Sequence, residues 1–211
     1  MKKYHRPVTL LAVTLALVGL LGAVLGACGS GQKDDGGGAQ VEFTTYTDKT
    51  YGFSFQYPKD WKVEENASFG ATAGAGAKAA MGVFDPKGAK AGGEYIDMLL
   101  AAVYELNVTI DESMMGDVKA ELENLLAQIE AQSPDAKVQG DLTETTVNGM
   151  PGFMATYTFD KNGEPATSTL YFLFDGPIEY QVTVQAASKN WQTLKPLFDT
   201  MVASFKAGTS R

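Results

Sequence analysis

Histidine and cysteine, the side chains most often used as nucleophiles, bases and zinc ligands, are nearly absent from this chain. Among 211 residues there is one cysteine, Cys28, and one histidine, His5. Everything beyond Cys28 therefore lacks the groups that Cys–His nucleophiles, histidine-based serine triads and His- or Cys-ligated zinc require. We predict no catalytic residue, no metal ligand and no cofactor-binding residue there, and no disulfide.

Basic residues are also fewer than acidic residues in this chain. Its 17 Lys and Arg against 25 Asp and Glu give a formal net charge of −8. Three basic residues and no acidic ones fall within the first 27 positions, so the remaining 184 residues carry −11. Nucleic acids and anionic lipid surfaces are bound by clustered Lys and Arg. We therefore exclude nucleic acid as a partner.

One long apolar run is present, and it lies at the amino terminus. Three basic residues precede residues 8–25, and the run ends in Leu25-Gly26-Ala27-Cys28. A basic head, an apolar core and small residues before a cleavage site are typical of a secretory signal peptide. An aliphatic residue, two small residues and a cysteine resemble the lipobox of bacterial lipoproteins. That resemblance implies cleavage before Cys28 and a diacylglyceryl group on its sulfur.

An uncleaved anchor helix is the alternative interpretation of the same segment. Its 18 residues are at the lower end of the roughly 17–25 that span a bilayer, and two glycines interrupt them. Either interpretation tethers the chain to the cell membrane at its extracytoplasmic face. Two acyl chains would hold it firmly, since each buried CH₂ contributes about 0.8 kcal/mol.

Composition divides the chain into four parts. Residues 1–27 are the predicted signal peptide, and residues 28–40 are the lipidated cysteine with a Gly-rich tether that has no large apolar residue. A flexible segment of a dozen residues reaches roughly 20 Å. Residues 41–206 are predicted to be a single domain with one core, followed by a tail at 207–211.

The first half of the domain alternates in the manner of β-strands. Residues 51–57 carry an aromatic side chain at every second position, which is typical of a half-buried strand. Further strands are predicted at 41–46, 61–63 and 80–84. The apolar residues 94–106 fit either a strand or a helix, and their position between loops favours a strand. The Gly- and Ala-rich segments 67–78 and 86–93 are predicted loops and candidate contact surfaces.

Two later segments repeat apolar residues every three or four positions and predict helices. They are residues 109–132, which open with the Thr-x-x-Glu spacing of a capping box, and residues 191–205. Between them, strands in meander order are predicted at 138–147, 153–159, 170–174 and 178–186. Asn162-Gly163 predicts a tight hairpin turn, because both residues tolerate a positive φ.

The strand at 178–186 shows the clearest alternation of the chain. Its polar positions are predicted to face water, and they are Glu179, Gln181, Thr183 and Gln185. Strands interrupted by one middle helix and one terminal helix predict an α+β domain whose antiparallel sheet is covered by helices.

Three motifs resemble the PsbP-like, or Mog-type, family. Residues 51–61 (Tyr-Gly-Phe-Ser-Phe-Gln-Tyr-Pro-Lys-Asp-Trp) are similar to its opening motif, residues 147–152 (Val-Asn-Gly-Met-Pro-Gly) lead into the meander, and Ser204-Phe205 closes the terminal helix. The resemblance covers about residues 41–206 and implies a three-layer α/β/α sandwich with a binding or assembly role. Bacterial lipoproteins of this superfamily, the LpqN-like group among them, also carry a lipobox.

Carboxylates are the remaining candidates for catalysis, because two Asp or Glu residues suffice for glycoside hydrolysis. The acids considered are Asp97, Glu105, Asp111 and Glu112, which stand at unrelated positions. Solvated surface is the default interpretation for all four. A hydrolase requires that folding bring two of them together.

Two segments superficially resemble ligand-binding loops. Residues 160–164 (Asp-Lys-Asn-Gly-Glu) start like a calcium loop, but Tyr171 occupies the twelfth position, where an EF-hand has glutamate. We predict a hairpin turn there. Residues 70–78 are Gly-rich but lack the Gly-Lys-Ser/Thr of a phosphate loop, so we predict a flexible loop.

Aromatic residues at alternating positions either line a ligand pocket or fill the core between sheet and helix. They are Tyr51, Phe53, Phe55, Tyr57, Tyr157, Phe172 and Tyr180. We assign them to the core, together with Trp61 and Trp191.

These features predict a lipid-anchored extracytoplasmic lipoprotein that acts as a non-enzymatic binding or assembly module at the cell envelope, with an envelope protein as its partner. The alternative is a carboxylate-dependent envelope hydrolase or a small-ligand receptor. The hydrolase requires acids that face one another, and the receptor requires a pocket in which a few polar groups converge.

Overall fold

A computed structural model describes residues 41–65 and 76–208. The predictions for the signal peptide, for Cys28 and its tether and for most of the loop 67–78 concern residues outside these ranges. So does the end of the predicted tail. No helix in the described part of the chain is both long and apolar enough to cross a membrane.

The described residues form strands followed by a middle helix, further strands and a terminal helix, as predicted. The elements are β1 (Phe43–Thr47), β2 (Ser54–Pro58), β3 (Lys62–Glu65), β4 (Ala79–Phe84), β5 (Lys90–Ala91), β6 (Glu94–Tyr95), β7 (Met98–Glu105), α1 (Met115–Gln132), β8 (Lys137–Val147), β9 (Met150–Lys161), β10 (Glu164–Asp175), β11 (Ile178–Ala187) and α2 (Trp191–Ala203).

A seven-stranded sheet forms the middle layer. Its order is β3-β4-β7-β11-β10-β9-β8, and each neighbouring pair is antiparallel. The predicted meander is confirmed, because β8 to β11 pair in sequence. The last strand of that meander, β11, then pairs with β7, so it lies at the centre of the sheet.

The sheet carries a helix on each face. On the α1 face, Val118 and Leu122 pack with Phe153 and Phe172 of the sheet. On the opposite α2 face, α2 packs together with the separate β1–β2 hairpin. The predicted α+β class and three-layer α/β/α sandwich are therefore confirmed.

The aromatic segment 51–57 supplies the outer part of the α2-face core. Phe53 and Phe55 are fully buried, and Phe205 stacks on both with ring centroids 5.6 and 6.1 Å apart. Trp61 and Trp191 belong to the same cluster. The assignment of these aromatics to the core is confirmed, and the family's opening motif and closing Ser-Phe meet in this cluster.

The predicted capping box at the start of the middle helix is wrong. Asp111, not Thr109, caps this region: its carboxylate accepts hydrogen bonds from the backbone N–H and the hydroxyl of Ser113, at 2.8 and 2.6 Å. A short 3₁₀ turn (Glu112–Met114) follows, and α1 begins at Met115. The bonds from Ser113 lower the pKa of Asp111. Asp is a favoured capping residue because its short carboxylate reaches the backbone N–H of the second residue after it.

The predicted hairpin turn at residues 160–164 is confirmed. Asn162 and Gly163 have φ of 52° and 86°, and Asp160 accepts a hydrogen bond from the Gly163 N–H at 2.6 Å. Part of the loop 86–93 is folded as well. Its residues 90 and 91 form one strand of the small β5–β6 hairpin. There the Lys90 ammonium lies 4.2 Å from the ring centre of Tyr95.

Candidate functional site

Two of the four acids considered from sequence, Asp97 and Glu105, lie at opposite ends of one strand. Asp97 directly precedes β7 and Glu105 ends it, so about 25 Å of extended chain separates them. Glu105 is exposed and accepts a hydrogen bond from the Tyr51 hydroxyl at 2.9 Å. Asp111 is the helical cap, and Glu112 follows it on the surface. Glycoside hydrolysis needs two carboxyls within about 10 Å on either side of a substrate.

Asp97 is not at the surface, contrary to the default expectation. It is buried, and its two carboxylate oxygens accept three hydrogen bonds, from the N–H groups of Ala89 and Ala187 and from the side chain of Asn190, each at 2.9 Å. The carboxylate thus joins the β5–β6 segment, the end of β11 and the start of α2. Its role is structural, since all three donors belong to the protein's own framework.

The prediction that one face of β11 is wet is also wrong. Glu179, Gln181 and Gln185 are 1%, 6% and 7% exposed, although alternation placed them on the solvent side. Thr183, the fourth predicted position, is partly exposed. The alternation itself is correct, since these residues share the α1 face while Tyr180 and Val182 lie in the α2-face core. The strand is central in its sheet, and its position removes water from both faces.

At one end of β11 the buried polar groups are satisfied by the protein. The Gln185 amide donates to the Ile96 carbonyl at 3.1 Å, and its oxygen accepts from the Ser168 hydroxyl at 3.2 Å. These bonds attach the segment leading from the β5–β6 hairpin to the sheet. This end is therefore a fixed internal network.

At the other end Glu179 has a buried carboxyl group. One of its oxygens accepts a hydrogen bond from the Gln181 amide at 2.8 Å. Burial raises the pKa of Glu179 to about 7, because the charged form loses its water, while the bond from Gln181 opposes the rise. This carboxyl therefore changes charge close to neutral pH.

Tyr104 of β7 lies directly opposite Glu179 on the neighbouring strand. It is 6% exposed, and its hydroxyl has no hydrogen-bond partner in the described part of the protein. Burial, reinforced by the Glu179 charge, raises the pKa of Tyr104 to about 12, so its hydroxyl stays protonated at neutral pH. A buried polar group without a partner costs about 1–3 kcal/mol.

Small side chains lie beside this pair on β7 and β4. Ala102 stands opposite Gln181, and Ala80 stands opposite Ala102 on the next strand. Among the described residues, Ala77 is the apolar side chain that packs against the cluster of Ala80, Ala102 and Tyr104. We define Tyr104, Glu179, Gln181, Ala80 and Ala102 as the Tyr104–Glu179 site.

The site places a hydroxyl donor and a carboxyl acceptor on neighbouring strands, beside apolar side chains. No second carboxylate stands opposite Glu179 in the strand pairing, where Tyr104 and Phe174 flank it. Within residues 41–65 and 76–208, no group of three or more His, Cys, Asp or Glu could hold a metal ion.

Sequence reasoning missed Glu179 because its strand alternates cleanly. No sequence signal opposed that interpretation, because the neighbours of the strand are known only from the structure. There it lies beside the apolar strand β7 near the centre of the sheet, and central strands lose solvent on both faces.

Asp97→Asn is expected to lower the free energy of unfolding by about 2–4 kcal/mol. All three partners of this carboxylate are donors, so the amide nitrogen of Asn would face one of them and leave it unpaired. Urea unfolding measures the change. Asp60→Asn, at a solvent-exposed position, is the control and is expected to change stability by less than about 0.5 kcal/mol. Equal values for the two variants would contradict a structural role for Asp97.

Glu179→Gln is expected to remove a pH dependence of stability. The pKa of Glu179 rises from 4.5 to about 7 on folding, so the folded state binds the proton more tightly and stability falls as pH rises through this range. The shift corresponds to roughly 3 kcal/mol, so the variant should exceed the native chain in stability by up to that amount at pH 8 and match it near pH 4. Urea unfolding from pH 4 to 8, with the exposed Glu123→Gln as control, checks this. A difference that does not vary with pH would contradict it.

The fold is similar to two solved structures. The solution structure of cyanobacterial PsbP (CyanoP) from Synechocystis sp. PCC 6803 has a TM-score of 0.53 and 18% identity, over 83% of this chain and 98% of that one. The crystal structure of LpqN, involved in cell envelope biogenesis of Mycobacterium tuberculosis, has a TM-score of 0.56 and 14% identity, over 81% and 93%. These identities show a shared fold alone. Neither description names an enzymatic activity. No curated protein matches the sequence.

Sequence similarity extends further along the chain than the described fold. The family model described as PsbP-like protein matches residues 8–207. The match begins inside the amino-terminal apolar run and ends after the closing Ser204-Phe205 of α2. It includes the motifs at 51–61 and 147–152 that suggested the resemblance. This chain therefore belongs to the PsbP-like protein family.

Proposed function

We propose that this chain is a lipid-anchored lipoprotein of the extracytoplasmic membrane face that acts as a non-enzymatic binding or assembly module at the cell envelope. The observation that carries the proposal is Leu25-Gly26-Ala27-Cys28 at the end of the apolar run, in a chain with no other cysteine. A thioether-linked diacylglyceryl group on Cys28 would supply two acyl chains, which is enough for stable anchoring.

The distance from Cys28 to the domain sets where the module works. The first strand begins at Phe43, and the Gly-rich tether before residue 41 reaches roughly 20 Å. The domain therefore stays within about its own diameter of the bilayer. Its partner is expected to be a protein of that membrane or of the space directly above it.

Binding rather than catalysis is supported by what the folded domain brings together. The acids Asp97 and Glu105 lie far apart, and Asp97 is engaged by three protein donors. Glu179 faces a phenol and an amide instead of a second acid. The LpqN protein that shares this fold is described as involved in cell envelope biogenesis, which supports the same setting for this chain.

A small-ligand receptor is the second candidate function. One observation favours it: the Tyr104 hydroxyl is buried and lacks a partner in the described structure. Native proteins rarely leave such a group unsatisfied unless something else completes the site. A receptor and an envelope assembly module are compatible, because ligand binding can accompany partner binding.

Lipidation is tested by intact-mass spectrometry of the protein from membranes. The expected product starts at Cys28 and carries the mass of a diacylglyceryl group or more. Cys28→Ser is expected to leave the precursor uncleaved and without lipid, because the sulfur that forms the thioether is gone. Ser30→Ala, two residues further, is the control and should be processed normally. An unmodified Cys28 in the native product would refute the anchor.

The partner is tested by photo-crosslinking in intact envelopes. A photoreactive residue at Lys87, exposed in the candidate contact loop 86–93, is compared with one at Glu123 on the solvated side of α1. We expect a single discrete adduct from position 87 and a much weaker one from position 123, and loss of both in a Cys28→Ser background. Absence of any adduct at either position would contradict a stable protein partner.

A further inference from the structure

The buried polar groups at the two ends of β11 differ in how far their hydrogen bonds are satisfied by the protein. Gln185 is engaged on both sides by Ile96 and Ser168, so the fold completes that end by itself. At the other end, the Glu179 carboxyl accepts a hydrogen bond from the Gln181 amide, whereas the hydroxyl of Tyr104 has no partner in the described structure. Within the described ranges, the Tyr104 hydroxyl oxygen is the one buried side-chain nitrogen or oxygen atom without a hydrogen-bond partner, so the unsatisfied group is confined to this end of the strand.

We propose that the Tyr104–Glu179 site binds a neutral small molecule through a group that both accepts and donates a hydrogen bond, of which an aliphatic alcohol is the simplest. This inference deepens the receptor candidate above and does not depend on the lipid anchor.

The hydrogen-bonding pattern selects the head group. The phenolic hydrogen of Tyr104 needs an acceptor, and the carboxyl of Glu179 accepts a donor. Directly opposed residues on neighbouring antiparallel strands have Cβ atoms about 5 Å apart, so one small group reaches both side chains. A hydroxyl group satisfies both: its oxygen accepts from Tyr104 and its hydrogen is donated to Glu179.

Charge excludes the two obvious alternatives. A ligand carboxylate would lie beside the Glu179 carboxylate in a place shielded from water, where like charges repel strongly. An ammonium would attract Glu179 but has no acceptor, so the phenolic hydrogen of Tyr104 would stay unpaired. Burial also makes any charged head group costly to desolvate.

The floor of the site selects the body of the ligand. Beside the polar pair, Ala102 and Ala80 lie on adjacent strands with Ala77 packed against them, and both are buried. These side chains offer apolar contact and no hydrogen bond. A short aliphatic chain attached to the hydroxyl would therefore insert between the alanines and the residues that cover them.

The test uses the full chain, anchored in lipid nanodiscs and labelled with ¹³C at the Glu carboxyl and Tyr ring carbons. 1-Hexanol is the probe, and hexanoate and hexylamine are its charged counterparts of equal length. We expect saturable shifts of the Glu179 and Tyr104 resonances with 1-hexanol at pH 8, and at least tenfold weaker binding of hexanoate and hexylamine.

Tyr104→Phe is the decisive variant, because it removes an oxygen atom that the described fold does not use and keeps the ring. It is expected to fold, and to weaken 1-hexanol binding about tenfold when followed at Glu179, a loss that corresponds to one hydrogen bond at 1.4 kcal/mol per factor of ten. Tyr95→Phe on the β5–β6 hairpin is the matched control and should bind like the native chain.

Two outcomes would overturn the site. Shifts at Glu179 that grow linearly with 1-hexanol, without saturation, would show partition into the bilayer rather than binding. Equal affinities of the native and Tyr104→Phe chains would show that the hydroxyl takes no part. Neither result bears on the lipid anchor or the protein partner, because those are tested by mass spectrometry and photo-crosslinking. Failure of this proposal is therefore distinguishable from failure of the proposed function.

Discussion

The structure depends on β11, which is paired on both edges and covered on both faces. Its backbone pairs with β7 on one edge and with β10 on the other. Its Tyr180 and Val182 side chains lie in the core beneath α2. On its other face the polar side chains of Glu179, Gln181 and Gln185 are buried as well. Each must then find a partner within the protein or in something bound to it. That requirement decides which parts of the sandwich are framework and which part is available for binding.

The framework lies at the end of β11 where Asp97 and Gln185 act. Both residues bind backbone groups, and together they attach the β5–β6 hairpin and the start of α2 to the sheet. At the opposite end the same strand carries Glu179 beside Tyr104, with alanines on the neighbouring strands. There the Tyr104 hydroxyl is buried without a partner in the described structure, which is costly unless a bound group completes its hydrogen bonding. In the proposed receptor, recognition is therefore separated from stability along a single strand.

The family motifs belong to the framework. In residues 51–61, the aromatic side chains of Phe53 and Phe55 pack against Phe205, and Trp61 contacts Phe198 at a ring distance of 6.1 Å. These contacts join the first hairpin, the terminal helix and the sheet. They explain why the motifs identify the fold without identifying a function, since a fold serves many functions through its sites. The polar end of β11 lies outside these motifs.

Local pattern determined most of the architecture. Period-two aromatics at 51–57, the tight turn at Asn162 and the helical spacing of α1 are each decided by neighbours in sequence, and a single segment suffices to recognise them. The scarcity of Cys and His likewise needed no structure. The burial of Glu179 and Asp97 was decided only by tertiary structure, because it depends on which strands flank β11 and β7 and on how many lie outside them. An alternating strand looks the same at an edge and at the centre of a sheet, and only the long-range pairing removes its water.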